Sequence, residues 1–363
     1  MSPKARTNAT MKIKLQNIKI LAINYAVFVT LLVTLELAGQ VGYRLLKGRF
    51  LFDDPPNVIF EEHPYLSGVA KKNQHYVNTK GIVITTDSNG FRITRKGDYD
   101  KASKNVVCLG GSTTFGTLVT DEDSWPYQLQ EKLGPDYNVY NMGIPGYSTM
   151  EAMIQLITIV PELKPQIIIV YEGWNDIRNY HVTPHSTDYY WHGMSQKTNL
   201  EFGNKNFWTI FFIPKMIQNI ANRFWPQSYE LKNAEVFSTN DPYVDSLYVR
   251  NMRTIKLLGE TLNAKMVFIP QVMNIDSLSG STATYAWTPH IQNNQMPRMM
   301  EGFSLLIQKT IKPDKNTIVL NNILHNVPWT AKDFADYGHF NKNGGDVFSK
   351  IVRSAIQELE SND

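Results

Sequence analysis

Four short segments of the sequence combine glycines with side chains suited to acyl-transfer chemistry. A serine hydroxyl can act as a nucleophile, an asparagine amide can stabilise an oxyanion, and a carboxylate can orient a histidine. Asp336 and His339 stand three residues apart, so the two side chains can meet within one turn. The four segments cover residues 110–116, 141–148, 173–176 and 336–339.

The first segment, Gly-Gly-Ser-Thr around Ser112, permits two interpretations. Ser112 comes soon after the apolar run 106–109, at the point where a strand should give way to a helix. A glycine-rich loop in that position can expose a nucleophile, but it can equally bind phosphate at the helix N-terminus. The segment lacks the Gly-Lys-Ser/Thr ending of a Walker A loop. Thr114 stands where a Gly-x-Ser-x-Gly elbow has its second glycine. Taken alone, this segment leaves both interpretations open.

Each of the other three segments also has a purely structural explanation. Asn175 and Asp176 can cap a helix, Gly146 can shape a turn, and His339 can be an ordinary surface histidine. Their common feature is that each follows a predicted strand. In a doubly wound sheet, ligands bind at the carboxyl ends of the strands. The joint occurrence of the segments therefore favours one catalytic site over unrelated structural roles.

The elements that would position these segments alternate between strands and helices. This alternation predicts an α/β fold in which helices cover both faces of a parallel sheet. A turn-rich stretch, 44–103, precedes it and is predicted to be a small β-rich lead-in. The segment 179–244 breaks the alternation, and its aromatic residues fit a lid or binding loop as well as a structural excursion. The predicted strands are 82–84, 91–93, 106–109, 139–141, 167–171, 267–270 and 318–320, and the predicted helices are 125–133, 149–160 (with Ser148 as N-cap), 248–262 and 345–359.

Composition excludes several classes of protein. With 42% hydrophobic and 19% charged residues among 363, the chain is globular rather than disordered. Its net charge of +3 gives no electrostatic footprint for nucleic acid. Cys108 is the single cysteine, so no intramolecular disulfide can form. The cluster of His181, His185 and His192 lies in a loop-like stretch, and a metal site there is the less favoured alternative.

The N-terminal segment has the pattern of a membrane anchor. A basic tail, 1–19, precedes the apolar stretch 20–43, which Glu36 interrupts. The uncharged run 20–35 alone is short for a span of about 20 residues, but continuation to Tyr43 makes it long enough. A cleaved signal peptide and a soluble amphipathic helix are the alternatives. The basic tail favours a cytoplasmic N-terminus, with the bulk of the chain outside the cytoplasmic membrane.

Together the four segments resemble the conserved blocks of the SGNH (GDSL-type) hydrolases, over residues 104–358. The family's name residues correspond to Ser112, Gly146, Asn175 and His339, and Asp336 completes the triad. Trp125-Pro126, the pattern His339-x-Asn341-x-x-Gly344 and the lead-in segment 87–92, Asp-Ser-Asn-Gly-Phe-Arg, support the resemblance. The last of these is similar to a lead-in of membrane-anchored bacterial members. One departure is Gly-Gly-Ser-Thr, where the family's label has Gly-Asp-Ser-Leu.

The resemblance implies a three-layer, flavodoxin-like hydrolase domain over 104–360 that needs neither metal nor organic cofactor. It implies an acyl-enzyme on Ser112 and an oxyanion hole made by the N–H groups of Ser112 and Gly146 and the amide of Asn175. The expected reaction is hydrolysis of O-acyl, above all O-acetyl, esters on an envelope or extracellular carbohydrate. The alternatives are an O-acyltransferase for a surface polysaccharide, a lipase or lysophospholipase, and an inactive glycan-binding protein.

Overall fold

The computed structural model describes residues 3–53, 59–181, 186–199, 207–224, 240–285 and 287–361. The chain forms two compact units, one of Met1–Pro56 with Gly203–Gln227 and the other of Asn57–Phe202 with Ser228–Asp363. The described strands are β1 (Phe60–Glu61), β2 (Val69–Ala70), β3 (His75–Val77), β4 (Val83–Thr85), β5 (Lys104–Gly110), β6 (Tyr137–Asn141), β7 (Ile167–Tyr171), β8 (Lys265–Phe268), β9 (Thr284–Tyr285), β10 (Thr288–Gln292) and β11 (Thr317–Val319).

Helices separate the strands from β5 onward, apart from the adjacent β9 and β10. Short 3₁₀ turns at Asp121–Asp123, Val160–Leu163, Arg178–His181, Asn293–Gln295 and Ala331–Asp333 join several of them. The described α-helices are α1 (Pro3–Lys47), α2 (Ser112–Phe115), α3 (Trp125–Leu133), α4 (Thr149–Thr158), α5 (Trp174–Ile177), α6 (Tyr190–Asn199), α7 (Phe207–Ile210), α8 (Phe212–Phe224), α9 (Pro242–Thr261), α10 (Ile275–Leu278), α11 (Met296–Thr310) and α12 (Lys342–Ser361).

The core of the second unit is a parallel sheet with the strand order β11-β8-β7-β5-β6. The chain runs outward from β5 to β6 and then returns to β7 on the other side of β5. This reversal creates the crevice in which doubly wound folds bind ligands. Gly110 at the end of β5 pairs with Tyr171 at the end of β7, so the segments that follow both strands emerge side by side.

Helices cover both faces of this sheet, because successive strand residues point in opposite directions. Val107 and Leu109 pack with one apolar cluster, to which α4, α9 and α11 contribute. Val106 and Cys108 pack with another cluster, to which α3 and α12 contribute. The predicted three-layer α/β fold is thereby confirmed. Helix α11, which contributes to one of the two helical layers, is not among the predicted helices.

One predicted strand, 91–93, is wrong. Arg92 makes only isolated bridges to Thr86 and Asn141. Its side chain, fully buried, pairs with Asp121 at 2.9 Å and donates to the carbonyls of Phe115 at 2.7 Å and Val119 at 2.7 Å. The segment therefore acts as a polar clamp, which joins the lead-in to the loop after α2, rather than as a ladder strand.

The first unit consists of α1, α7 and α8 with the residues that follow α1. The stretch Gln16–Lys47 is long and apolar enough to cross a membrane by length and composition. It extends the apolar stretch predicted at 20–43. The predicted insertion, 179–244, contributes α6 to the second unit and α7 and α8 to the first. Its exact bounds and those of the lead-in stay predictions.

Candidate active site

Ser112, His339 and Asp336 form a continuous hydrogen-bonded chain. Ser112 opens α2 directly after β5 and Gly111, and its Oγ lies 2.8 Å from Nε2 of His339. The other ring nitrogen of His339, Nδ1, lies 3.0 Å and 2.9 Å from the two carboxylate oxygens of Asp336. This arrangement lets a neutral imidazole accept the serine proton while the carboxylate holds the opposite N–H.

Local backbone geometry fixes the position of the Asp336 carboxylate. Oδ1 of Asp336 accepts hydrogen bonds from the backbone N–H groups of Gly338 at 2.9 Å and His339 at 2.8 Å. Burial alone would raise the pKa of Asp336, but its hydrogen bond and charge interaction with His339 and these two N–H groups outweigh burial. The pKa of Asp336 therefore lies below its usual value, and the group is ionised at neutral pH.

Asn175 reaches the same place from α5, the short helix after β7. Its side chain is buried, and Nδ2 donates to the carbonyl of Tyr147 at 2.7 Å. A Cβ atom at Gly111 would lie 2.3 Å from this Nδ2 atom, so only glycine permits the amide to sit beside Ser112. One amide hydrogen of Asn175 is used by Tyr147, which leaves the other for a ligand.

Gly146, the fifth of the predicted site residues, has a backbone conformation that requires glycine. Its φ is +84°, in the left-handed region. A Cβ atom there would lie 1.6 Å from Nε2 of Gln196, which itself donates to the carbonyl of Pro145 at 2.8 Å. Buried His192 has its Nε2 3.2 Å from the carbonyl oxygen of Gly146. Gln196 and His192, both from α6, thus hold the loop that presents the Gly146 N–H.

All five predicted site residues line one cavity of about 310 Å³. Its walls are strongly aromatic. Trp174 and Tyr285 meet edge to face at 6.4 Å, and Tyr285 meets Tyr337 at 5.0 Å. Trp287 forms part of the lining and has the Arg178 guanidinium over its ring at 4.8 Å. The structure therefore brings together all five residues predicted for the site.

Comparison with known proteins gives the family to which part of the chain is similar. The profile of the GDSL-like Lipase/Acylhydrolase family matches residues 108–255, which begin within β5 and end within α9. Residues 108–255 belong to this family. The chain is accordingly a serine hydrolase of the SGNH type, as the sequence resemblance implies. No curated protein sequence matches the hydrolase at a significant level.

Several solved structures resemble the hydrolase distantly. An acetylxylan esterase from Geobacillus stearothermophilus, solved as a catalytic mutant, is 12% identical over 72% of this chain and 96% of its own, with a TM-score of 0.39. A GDSL-like lipase from Bacteroides thetaiotaomicron is 13% identical over 70% and 88%, with a TM-score of 0.37. TesA is 14% identical over 70% and 99%, with a TM-score of 0.40. Likeness at this level carries no argument about the substrate of this hydrolase.

A buried polar network lies next to Asn175 of the hydrolase site. Asp176, next to Asn175, accepts from Thr149 Oγ1 at 2.5 Å and from Tyr189 Oη at 3.1 Å, and Asn251 donates to the same Thr149 oxygen at 2.8 Å. Burial raises the pKa of Asp176 to about 7, although its hydrogen bonds oppose the shift. Burial and neighbouring acidic groups also raise the pKa of Glu172. This network anchors α5, and with it Asn175.

The sequence gives little signal for the cavity walls. Tyr285 and Trp287 come from the β9–β10 hairpin, far along the chain from the four segments, and Gln196 comes from the aromatic insertion. The alternative metal site at His181, His185 and His192 stays a prediction. His185 and the His181 side chain lie outside the described residues, and the described part of the hydrolase contains no metal-binding cluster of histidine, cysteine or acidic residues.

Proposed function

We propose that Ser112 is the nucleophile of an esterase that forms and then hydrolyses an acyl-enzyme. The observation that carries this proposal is the hydrogen-bonded chain from Ser112 Oγ through His339 to Asp336 at the wall of an aromatic cavity. An orienting carboxylate, a base and a nucleophile in this order are the arrangement that activates serine for attack on a carbonyl.

The first half of the reaction transfers the acyl group to the enzyme. Nε2 of His339 takes the proton of Ser112 as Oγ attacks the ester carbonyl, and the carbonyl oxygen becomes an oxyanion. Asp336 stabilises the imidazolium that forms. When the tetrahedral intermediate collapses, the alkoxide of the alcohol leaves with the proton from His339. The acyl group remains on Ser112 as an ester.

The oxyanion is held by the N–H groups of Ser112 and Gly146 and by the amide of Asn175. All three residues line the cavity that contains Ser112, and a side chain at position 111 or 146 would clash with Asn175 or Gln196. In the second half, water loses a proton to His339 and attacks the acyl carbon. The bond from Oγ to the acyl carbon then breaks, His339 returns the proton to Oγ of Ser112, and the carboxylic acid leaves. Loss of one oxyanion donor typically lowers the rate by about 10²–10³-fold.

The substrate that suits this cavity is a short O-acyl ester, above all an O-acetyl ester, of a carbohydrate. The volume of about 310 Å³ is at the lower end of ligand pockets, about 300–1,000 Å³. Such a space is small for a long acyl chain. Trp174, Tyr285 and Trp287 in the lining supply aromatic surface against which the C–H groups of a sugar ring can pack.

The same proposal places the enzyme at a membrane. The helix Gln16–Lys47 is the anchor, and the basic tail 1–19 keeps the N-terminus cytoplasmic. The hydrolase domain then lies outside the cytoplasmic membrane, in the periplasm or beyond, where envelope and extracellular glycans are found. The proposed partners are therefore an acylated glycan and the lipid bilayer, and no nucleic acid.

The test is an ester series supplied to the detergent-purified full chain. Nitrophenyl esters of increasing acyl length are run beside an O-acetylated polysaccharide, and nitrophenol and acetate are measured separately. We expect acetyl esters to react fastest. Ser112→Ala should lower turnover to the background rate while Ser279→Ala, an exposed serine outside the cavity, retains it.

Three results would contradict parts of the proposal. Unchanged turnover in Ser112→Ala would show that Ser112 is not the nucleophile. A preference for long acyl chains would indicate a lipid substrate in place of the carbohydrate ester. Appearance of the acetyl group on an added unacetylated glycan, in place of free acetate, would show that a sugar hydroxyl and not water accepts it.

A further inference from the structure

Helix α8 presents an apolar stripe to the outside of the first unit. Ile213, Ile217, Ile220 and Phe224 recur at the spacing that places them along one side of a helix. Ile217 and Ile220 are each 51% exposed and Phe224 is 68% exposed. The polar residues of the helix, Lys215, Gln218, Asn219, Asn222 and Arg223, occupy the opposite side.

Helix α7 continues this apolar surface. Phe207 is 58% exposed and Trp208 is 48% exposed, and Phe207 packs against both Trp208 and Phe211. The aromatic surface of α7 therefore precedes the aliphatic stripe of α8 directly along the chain. Exposed apolar patches of this extent are characteristic of surfaces that contact a membrane or another protein.

Glu36, the acidic residue within the apolar stretch of α1, fixes α8 in place. Its Oε1 accepts from the backbone N–H of Phe212 at 2.6 Å, and its Oε2 accepts from that of Ile213 at 2.9 Å. The first N–H groups of a helix have no intrahelical acceptors and carry partial positive charge. Glu36 therefore accepts from the first N–H groups of α8, and their partial positive charge stabilises its carboxylate.

Two neighbours of Glu36 reinforce this junction. Nε2 of Gln40 donates to Glu36 at 2.8 Å and to the carbonyl of Ile210 at 2.7 Å. A Cβ atom at Gly39 would lie 2.1 Å from the Phe212 ring, so glycine permits the two helices to approach closely. The contact surface on α1 thus extends from Glu36 to Tyr43, whose ring lies 5.5 Å from Nζ of Lys215, in the second half of the apolar stretch 20–43.

We propose that α7 and α8 form a membrane-interface element, held on the outer half of the anchor by Glu36, with their apolar stripe in the bilayer. The inference rests on the proposed membrane anchor and adds a second, surface-lying attachment to it. An amphipathic helix with basic residues on its polar side and large apolar residues on the other is suited to this position.

The bilayer is the occupant that the geometry favours. The apolar stripe belongs to the same unit as the exposed apolar surface of α1, so one hydrophobic environment can cover both. Counting about 1.5 Å per residue, Glu36 lies about 24 Å from Ile20, near the outer edge of a hydrocarbon core about 30 Å thick. Trp208, Lys215 and Arg223 are residue types common where hydrocarbon meets water.

The experiment compares two labelled positions on opposite sides of α8. Ile220→Cys and Asn222→Cys are made in the full chain, and native Cys108 stays unlabelled because it is fully buried. Each variant carries an environment-sensitive fluorophore and is reconstituted into vesicles of phosphatidylcholine and phosphatidylglycerol. Quenching by lipids spin-labelled near the headgroup and by aqueous iodide is then measured. Ile220→Cys should be quenched several-fold more by the lipid than Asn222→Cys, with the reverse order for iodide.

Carbonate extraction of the same vesicles separates this inference from the anchor on which it rests. Protein that remains in the membrane while both positions respond equally to iodide would overturn the interface element and leave the anchor intact. Release of the protein by carbonate would overturn both. Protection of Ile220→Cys from lipid and iodide alike would show that a second protein surface covers the stripe, which also overturns the proposal.

Discussion

At the scale of single residues, the proposed chemistry depends on which ring nitrogen of His339 carries the proton. Asp336 accepts from Nδ1 and so leaves Nε2 free to accept from Ser112. In Asp336→Asn the side-chain oxygen can still accept from the backbone N–H groups of Gly338 and His339. The new NH₂ group then faces Nδ1. The imidazole would be forced into the tautomer that cannot accept the serine proton.

We therefore expect Asp336→Asn to lower kcat by about 10³–10⁴-fold with little change in KM. The matched control is Asp333→Asn, which removes a carboxylate that caps the 3₁₀ turn Ala331–Asp333 and lies outside the cavity. Steady-state kinetics on a nitrophenyl ester check both variants. If Asp336→Asn retained a tenth of the wild-type kcat, Asp336 would not be the orienting group.

Asp176 leads to a prediction about stability and pH. Its pKa is about 7 in the folded chain, against about 3.9 for an unfolded aspartate. Between these values the folded state binds more protons, so the free energy of unfolding falls as pH rises from about 4 to about 7. This one group contributes a slope of up to about 1.4 kcal/mol per pH unit. Asp176→Asn should lack that contribution.

The slope is the quantity to measure, because Asp176→Asn also loses one hydrogen bond and so shifts stability at every pH. Urea unfolding of the wild type, Asp176→Asn and the exposed-site control Asp188→Asn is followed by tryptophan fluorescence at pH 5, 6 and 7. The pKa of Asp188 is lowered, so removal of its charge should not change the slope of the free energy of unfolding between pH 5 and 7. Equal slopes for wild type and Asp176→Asn would contradict the assignment of the buried proton to Asp176.

At the scale of secondary-structure elements, much of the hydrolase domain is predictable from local pattern. The predicted strand 167–171 and helix 125–133 have the bounds that the structure gives them. The apolar runs of β5 and β7 and the Ser148 cap of α4 are strong local signals, because burial and capping act on neighbours in sequence. Arg92 shows the limit, since a run that looks like a strand serves instead as a clamp whose partners are far along the chain.

The junction between β5 and α2 gives the element-scale prediction. Gly111→Ala would place a methyl group 2.3 Å from Nδ2 of Asn175 and 3.1 Å from the carbonyl of Tyr147. The Asn175 amide must then move away from the oxyanion. We expect kcat/KM to fall by about 10²–10³-fold, as for loss of one oxyanion donor.

The control for this substitution is Gly193→Ala. Gly193 lies in α6 and has open space around its Cβ position, so alanine should preserve activity and modestly stabilise the helix. Both variants are compared by ester kinetics and thermal unfolding. Full activity in Gly111→Ala with an unchanged melting temperature would argue against the proposed role of Asn175.

At the scale of the whole molecule, the sequence predicts the site better than its surroundings. Ser112 and Asn175 can be found because strand ends converge at one edge of a parallel sheet. The expectation that Asp336 and His339 also directly follow a strand is wrong, since β11 ends at Val319, and their signal is the three-residue spacing. The aromatic walls from Tyr285 and Trp287 and the junction of Glu36 with α8 depend on contacts between distant parts of the chain. In particular, Glu36 looks like an interruption of a membrane span in the sequence. In the structure its carboxylate accepts hydrogen bonds from the first N–H groups of α8.

The orientation of the whole chain in the membrane is the last prediction. Basic residues before the anchor favour a cytoplasmic N-terminus, which places every residue after Lys47 on the other side. Lys80→Cys, at an exposed position in the lead-in, should react with a membrane-impermeant maleimide in intact cells. Lys12→Cys should react only after the membrane is opened, and the wild type should stay unlabelled because Cys108 is buried. The reverse labelling order would place the esterase in the cytoplasm and exclude an extracellular glycan as its substrate.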